Sequence, residues 1–210
     1  MSRVLLIRHA QSTANRQGVL TGQKPGISLS SQGRKQAEEL ALRLGKSKIT
    51  QLRVSPMQRC LETIEPWLNA HSVKSRRSLI TDHGVNELDF GDWTGKKIIT
   101  VSRTKEWSRV QNKASTARFP NGESLIEVQK RARASFNEAV SSSKSSAVAL
   151  VTHADVIKLL VADLLGLHVD EFQKLVIDNA SVTVFDYHKG RIRLLTLNDS
   201  RSNIEELVNS

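Results

Sequence analysis

Val4-Leu5-Leu6-Ile7-Arg8-His9 opens the chain, and Val148-Ala149-Leu150-Val151-Thr152-His153 repeats its form far downstream. Each is a short apolar run closed by a histidine. Four or so consecutive apolar residues read as a strand buried on both faces, the habit of parallel sheets. A polar residue just past such a run sits at the strand's carboxyl end, where open α/β sheets bind ligands. Two histidines at that edge, one of them preceded by arginine, predict a site for anionic chemistry.

The chain between and after these strands supplies helices. A polar, glycine-bearing loop covers residues 11–26. Ala37, Leu40, Ala41 and Leu44 then recur at helical spacing, with Ser30 or Ser31 as cap and Gly45 as stop. Leu52-Arg53-Val54 reads as a short strand. Ser55-Pro56 opens a second helix, which Pro66 is expected to end or kink. Residues 71–121 read as a long irregular middle with one helix over 94–107. Pro120-Asn121-Gly122 is a turn, and a helix from Glu123 carries Leu125, Val128, Ala132, Phe136 and Ala139 on one face. A flexible loop is expected over 141–146. The second histidine strand leads into a helix over 155–165, stopped by Gly166. Strands over 182–185 and 192–197 fold back about His188-Lys189-Gly190 as a hairpin. Strands alternating with helices predict an α/β fold, a three-layer α/β/α sandwich with a mostly parallel central sheet. One domain is expected over 1–199, with a loose tail over 200–210.

Composition narrows the function. The 210 residues are 39% hydrophobic and only 4% aromatic, so Leu, Val, Ile and Ala must fill one sizeable core. No apolar run approaches the roughly 20 residues of a membrane helix. Met1-Ser2-Arg3 leads straight into a strand, so neither a leader nor a membrane partner is expected. The single cysteine, Cys60, allows no internal disulfide framework and no cysteine-rich zinc site, which suits a cytoplasmic protein. Cys60 is expected to pack on a helix face. Lys and Arg number 31 against 21 Asp and Glu, for a net charge of +10. Such a field draws anions. The basic residues are scattered and not interleaved with aromatics, as a nucleic-acid stacking platform requires. A small phosphorylated substrate is therefore favoured over nucleic acid, and a homodimer stays open.

Arg8-His9 suits phosphate esters in particular. A guanidinium forks onto phosphate oxygens and offsets the charge that repels nucleophiles. A neutral imidazole attacks phosphorus and carries the phosphoryl group until water removes it. Neighbouring arginines keep that imidazole neutral by disfavouring its charged form.

Arg8-His9-Ala10-Gln11-Ser12-Thr13-Ala14-Asn15 resembles the Arg-His-Gly-Glu-Ser/Thr-x-x-Asn signature of the histidine phosphatase superfamily, with its phosphoglycerate mutase-like fold. Further stretches resemble the family in order: Thr21-Gly22; Leu29-Ser30-x-x-Gly33-x-x-Gln36-Ala37; Ser55-Pro56-Met57-Gln58-Arg59-Cys60-x-x-Thr63; Asn86-Glu87-Leu88-Asp89-Phe90-Gly91-Asp92-Trp93-x-Gly95; Pro120-Asn121-Gly122-Glu123-Ser124-Leu125; Val151-Thr152-His153-Ala154-Asp155-Val156-Ile157; and Asp178-Asn179-Ala180-Ser181-Val182. The resemblance implies a phosphatase in which His9 is the nucleophile. Arg8, Arg59 and His153 would surround the phosphoryl oxygens. Asn15, the backbone of Thr21 and Gly22, and the Ala154 amide would add donors. Glu87 would protonate the leaving oxygen and then activate water. No cofactor and no metal are implied, and no His/Asp/Glu cluster stands at ligand spacing in the sequence. Among the nearby carboxylates, Asp82, Asp89 and Asp92 compete with Glu87 for the role of acid.

Three departures stand out. Ala10 replaces the family glycine, Gln11 replaces the usual acid, and Ala154-Asp155 replaces Gly-Gly or Gly-Asn. Ala10 is expected to shift its loop slightly, and Asp155 to bring a negative charge near the anion site. Specificity is expected from 92–120, where Lys96, Lys97, Arg103, Lys105, Arg109, Lys113 and Arg118 fit either a polyanionic substrate or a solvated surface. Trp93 belongs either to the pocket or to the core. His71, His83, His168 and His188 read as surface groups. The competing functions are phosphoglycerate mutase chemistry and phospho-ligand binding without turnover. Asp89-Phe90-Gly91 spells a kinase metal motif, but no glycine-rich loop or catalytic His-Arg-Asp accompanies it.

Overall fold

The computed structural model describes residues 2–70, 79–143 and 146–209. His71 and part of the expected 141–146 loop lie outside them. Six strands form one sheet: β1 (Ser2–Arg8), β2 (Ile49–Val54), β3 (Leu79–Thr81), β4 (Ala147–Thr152), β5 (Val182–His188) and β6 (Arg191–Asp199), in the order β3-β2-β4-β1-β5-β6. β3, β2, β4 and β1 run parallel, and β5 and β6 form the antiparallel hairpin at one side.

Alternation within the strands splits the core into two layers. Val4 and Leu6 of β1 join Val148 and Leu150 of β4 on one face, whereas Leu5, Ile7, Ala149 and Val151 face the other way. The first face is covered by α6 (Leu125–Ser142) and α7 (Ala154–Leu164). The second is covered by α2 (Ser31–Leu44) and α3 (Gln58–Ala70). The three-layer sandwich expected from the sequence is thus present. Ser30 caps α2 through the Gly33 amide, and Ser124 forms a capping box with Glu127 at α6, which starts at Leu125, two residues later than expected. α6 runs to Ser142, so it consumes the first part of the expected 141–146 loop.

Several expectations give way. Of the two effects expected of Pro66, it does not end α3 but lies inside it. The helix continues to Ala70 because Trp67 and Leu68, just past the proline, are buried in the core, and the Trp67 indole donates to the Gly45 carbonyl. Pro56 lies before the helix, not in its first turn. The middle segment contains two helices, α4 (Ile98–Val101) and α5 (Lys105–Asn112), in place of one over 94–107, together with short 3-10 turns at His83–Val85, Gly91–Trp93 and Ala114–Thr116. α1 (Thr13–Gln17) is a single turn inside the loop that follows β1. Trp93 is a core residue, packed against Trp107 and Phe119. Cys60 is fully buried, and burial pushes its thiol up to about 12. His83, His168 and His188 are exposed, as expected.

The expected loose tail is instead α8 (Ile204–Asn209), docked on the α2 side. Its Ile204 and Val208, four apart on one helix face, are buried in the second core layer. Arg43 of α2 anchors the entry to the helix by donating to the Asp199 and Ser202 carbonyls and to the Asp199 carboxylate. Ile204→Ala is expected to destabilise the fold by about 2–5 kcal/mol, the usual cost of emptying a core aliphatic site. Urea unfolding monitored by circular dichroism reads that loss; an unchanged midpoint would mean that the tail contributes nothing to the core.

Candidate active site

The chain order creates a crevice. After β1 the connection passes to the α2 side, and after β4 it passes to α7 on the opposite face. β1 and β4 are neighbours, so their carboxyl ends meet where the connections diverge, the switch point at which open α/β sheets bind ligands. The register pairs Arg8 with Thr152, and the His9 amide donates to the Thr152 carbonyl at 2.9 Å. This brings the His9 and His153 rings to 5.2 Å between centroids.

His9 is buried, with Nδ1 2.7 Å from the Ala10 carbonyl oxygen. A carbonyl only accepts, so Nδ1 carries the proton and Nε2 keeps the lone pair. Burial first, then Arg59 and Arg8, holds the His9 pKa well below the ordinary histidine value. The ring is therefore a neutral base with one defined lone pair. Ala10, in place of glycine, is itself fully buried in the apolar layer, and its amide donates to Thr63 Oγ1 at 2.8 Å. Gln11 does not contribute a charge; its side chain accepts from Ser30 Oγ and its amide donates to Gln36, tying the loop to α2.

Arg59, on the first turn of α3, is buried beside the histidines. Its Nη2 lies 3.1 Å from the Gly22 carbonyl, 3.3 Å from His153 Nδ1 and 3.6 Å from Glu87 Oε2. Gly22 thus acts through its carbonyl, holding the guanidinium. Arg8 Nη1 donates to the Ile177 carbonyl at 2.5 Å, and its buried Nε has no hydrogen-bond partner among the described residues. An unmet buried donor costs about 1–3 kcal/mol, which a phosphoryl oxygen would offset.

His153 is the N-cap of α7 with extended backbone and makes no side-chain cap bond. Its Nε2 lies 2.9 Å from Ser55 Oγ, and its pKa is lowered by burial and by Arg59. Ala154 and Asp155 open α7 and line the cleft, and the first amides of a helix have no partner within it, an arrangement suited to anions.

Glu87 comes from the irregular segment. Its Oε2 stands 3.3 Å from His153 Nδ1, and its Oε1 accepts the Leu88 amide. Burial raises its pKa to about 7, against the opposing pull of Arg59 and with help from Asp155. Its rivals are engaged elsewhere: Asp82 pairs with Arg53, Asp89 caps the Gly91 amide, and Asp92 binds Asn121. His9, Glu87 and His153 stand with their ligand-type atoms within 4.8 Å of one another. Sequence spacing hid that cluster because its members lie 78 and 66 residues apart (9 to 87, and 87 to 153).

Most of these residues line a cleft of about 380 Å³; Gly22 and the fully buried His153 stand behind its lining, against Arg59. Arg8, His9, Asn15, Thr21, Arg59, Glu87 and Ala154 all reach it. Asn15 Oδ1 is committed to the Ser12 amide in the capping box of α1. Of the segment expected to set specificity, Ile98 lines the cleft, and the seven cations between Lys96 and Arg118 do not. That segment sends Val101, Val110, Ala114, Ala117 and Phe119 into the core and leaves its charges outside. The outer wall comes from Lys158, Gln173 and the Leu175-Val176-Ile177 stretch, none of them foreseen. Lys158 had a legible signal, since it follows Ala154 by one helical turn; the 173–177 stretch, part 3-10 and part extended, had none.

A doubly covered sheet with an anion cleft built from two histidines and two arginines at its switch point defines a narrow class. The chain belongs to the histidine phosphatase superfamily (branch 1), whose family model matches residues 4–200. It is 29% identical over 189 residues to a Proteus mirabilis protein named "Probable phosphoglycerate mutase GpmB", covering 89% of this chain and 86% of that one. It is 28% identical to phosphoserine phosphatase 1 of Hydrogenobacter thermophilus, covering 94% and 92%. Among solved structures, a mycobacterial glucosyl-3-phosphoglycerate phosphatase in complex with VO3 superposes with a TM-score of 0.82 at 29% identity, over 93% of this chain and 98% of that one. No helix among the described residues is long and apolar enough to cross a membrane.

Proposed function

We propose that this protein is a phosphomonoesterase that hydrolyses a small phosphorylated metabolite through phospho-His9. The observation that carries this reading is the state of His9: buried, neutral and fixed by the Ala10 carbonyl in the tautomer that leaves Nε2 free, with Arg8 and Arg59 beside it. Nε2 attacks phosphorus and the ester oxygen leaves, taking a proton from Glu87. The two guanidiniums, His153 and the Ala154 amide hold the charge of the phosphoryl oxygens. Glu87, now ionised, takes a proton from water as that water attacks phospho-His9, which releases phosphate and restores both groups.

No metal is needed in this scheme. The His9, Glu87 and His153 cluster is flanked by two guanidiniums, which repel a divalent cation and already supply the positive charge such an ion would bring. The similarity to phosphatases acting on phosphoserine and on glucosyl-3-phosphoglycerate supports a small organic phosphate as substrate. Beyond Arg8 and Arg59, the cleft's lining adds one cation, Lys158, which stands 3.5 Å from Asp155. That balance fits a single phosphoryl group better than a polyanion.

The deciding assay offers the purified protein 4-nitrophenyl phosphate and a panel of phosphorylated metabolites, and measures inorganic phosphate. Phosphate release is the expected result. Interconversion of 2- and 3-phosphoglycerate with no phosphate release from any of them would overturn hydrolysis in favour of a mutase.

A further inference from the structure

The turn Pro120-Asn121-Gly122 and Glu123 has no part in the chemistry above, yet it is bound to the loop that carries Glu87. That loop, residues 82–90, is neither helix nor sheet apart from one 3-10 turn at His83–Val85. A proton donor must be held near hydrogen-bonding geometry with the leaving oxygen, so something outside the loop has to fix it.

Arg131 of α6 reaches the loop with all five of its N–H groups committed. Nη1 donates to the Gly84 and Asn86 carbonyls at 2.9 and 2.7 Å, and Nη2 to the Glu87 carbonyl at 3.0 Å. Nε and Nη2 also grip the two carboxylate oxygens of Glu123, at 2.9 and 3.0 Å. Glu123 in turn accepts the Asp89 amide on Oε2, and its own amide donates to the Asp89 carbonyl. The turn closes further onto the loop where the Asp92 amide donates to the Pro120 carbonyl. Gly91 and Gly122 permit the approach. A Cβ on Gly91 would stand 2.0 Å from the Pro120 carbonyl oxygen, and one on Gly122 would stand 2.3 Å from that of Asp89. Glu87 thus hangs between two fixed points: the Arg131 fork behind its backbone, and His153 and Arg59 before its carboxyl.

We propose that Arg131 and Glu123 form a positioning pair that sets the Glu87 carboxyl for proton donation, acting through the loop backbone and touching neither substrate nor phosphoryl group. The pair deepens the hydrolase reading and rests on Glu87 as the donor. A lysine at 131 keeps the charge but offers a point of donors in place of a planar fork, so it cannot span three carbonyls and a carboxylate together.

The test compares Arg131→Lys, Glu123→Gln and Glu87→Gln with the parent protein on an alkyl phosphate, whose leaving oxygen must be protonated, and on 4-nitrophenyl phosphate, whose leaving group is stable as an anion. Near-ultraviolet circular dichroism selects folded variants, and Glu123→Gln carries the test if Arg131→Lys does not fold. The positioning variants are expected to lose roughly 100-fold in kcat/KM on the alkyl phosphate, the scale set by a misplacement of about 1 Å. They should lose only a few-fold in kcat/KM on the aryl phosphate, because that ratio ends at phospho-His9 formation and excludes the later step in which Glu87 activates water, and phosphate inhibition should be little changed. Their alkaline pH limb should also move to lower pH as the Glu87 carboxyl gains water. Equal losses on both substrates, or none, with a selective loss in Glu87→Gln, would overturn the positioning role alone. If Glu87→Gln shows no selectivity either, the assignment of Glu87 as donor falls, and the positioning role falls with it.

Discussion

His9→Ala is expected to lower kcat by roughly 10⁴-fold or more on every phosphomonoester the protein accepts, the scale on which loss of a covalent nucleophile acts. The residue supplies a neutral imidazole lone pair in the cleft, oriented by the Ala10 carbonyl. Its pKa is held well below the ordinary histidine value by burial and two arginines, so near neutral pH it is unprotonated in the folded protein. The anion-binding groups survive the substitution. Arg8 keeps its contact to the Ile177 carbonyl, and Arg59 keeps its contacts to Gly22 and His153. Affinity for inorganic phosphate, read by titration calorimetry, should therefore change by no more than a few-fold while turnover collapses. Retention of turnover within ten-fold would remove His9 from the chemistry. Retained binding in a parent protein that never turns over would favour a phospho-ligand-binding protein instead.

Glu87→Gln should cost about 10²–10⁴-fold on alkyl phosphates, the range of general acid catalysis. The pH profile gives the sign. A donor works only while protonated, and burial raises the Glu87 pKa to about 7. The rate on an alkyl phosphate should thus hold below about pH 7 and fall above it. His9 adds no acid limb near neutrality, because its lowered pKa leaves it unprotonated throughout that range. In Glu87→Gln the alkaline limb should vanish, leaving a low, flat rate. An unchanged limb would assign it to another group.

Much of this was legible in the chain because β1 and β4 are buried on both faces. A strand covered twice must be a continuous apolar run, so its end is sharp, and the residue after it is fixed at the sheet edge. His9 and His153 follow from that sharpness alone. Arg59, Asn15, Thr21, Gly22 and Glu87 needed the resemblance to place them, since a loop carboxylate such as Glu87 has no period, and Asp82, Asp89 and Asp92 stand close by. The helix of the tail is not legible in the sequence because its apolar stripe, Ile204 and Val208, is only one turn long within a polar segment. The course of α3 through Pro66 is left open by the sequence, and the burial of Trp67 and Leu68 carries the helix past the proline. The cleft's outer wall was invisible for a different reason: Lys158 and residues 173–177 approach it only once α7 is packed on the sheet. Of the two readings open for the cations of 92–120, the solvated surface is the one found, since charge in the sequence does not say which way a side chain faces.

The most direct test of the central claim is chemical. The protein is mixed with a labelled phosphomonoester for milliseconds to seconds and denatured in alkali, in which a phosphoramidate bond survives and most acyl phosphates do not. Digestion and mass spectrometry then locate the label. The result predicted is one phosphoryl group on His9, formed as fast as turnover or faster, and absent from His9→Ala. Label on another residue, or steady turnover with no labelled protein at any time, would contradict a phospho-His9 mechanism.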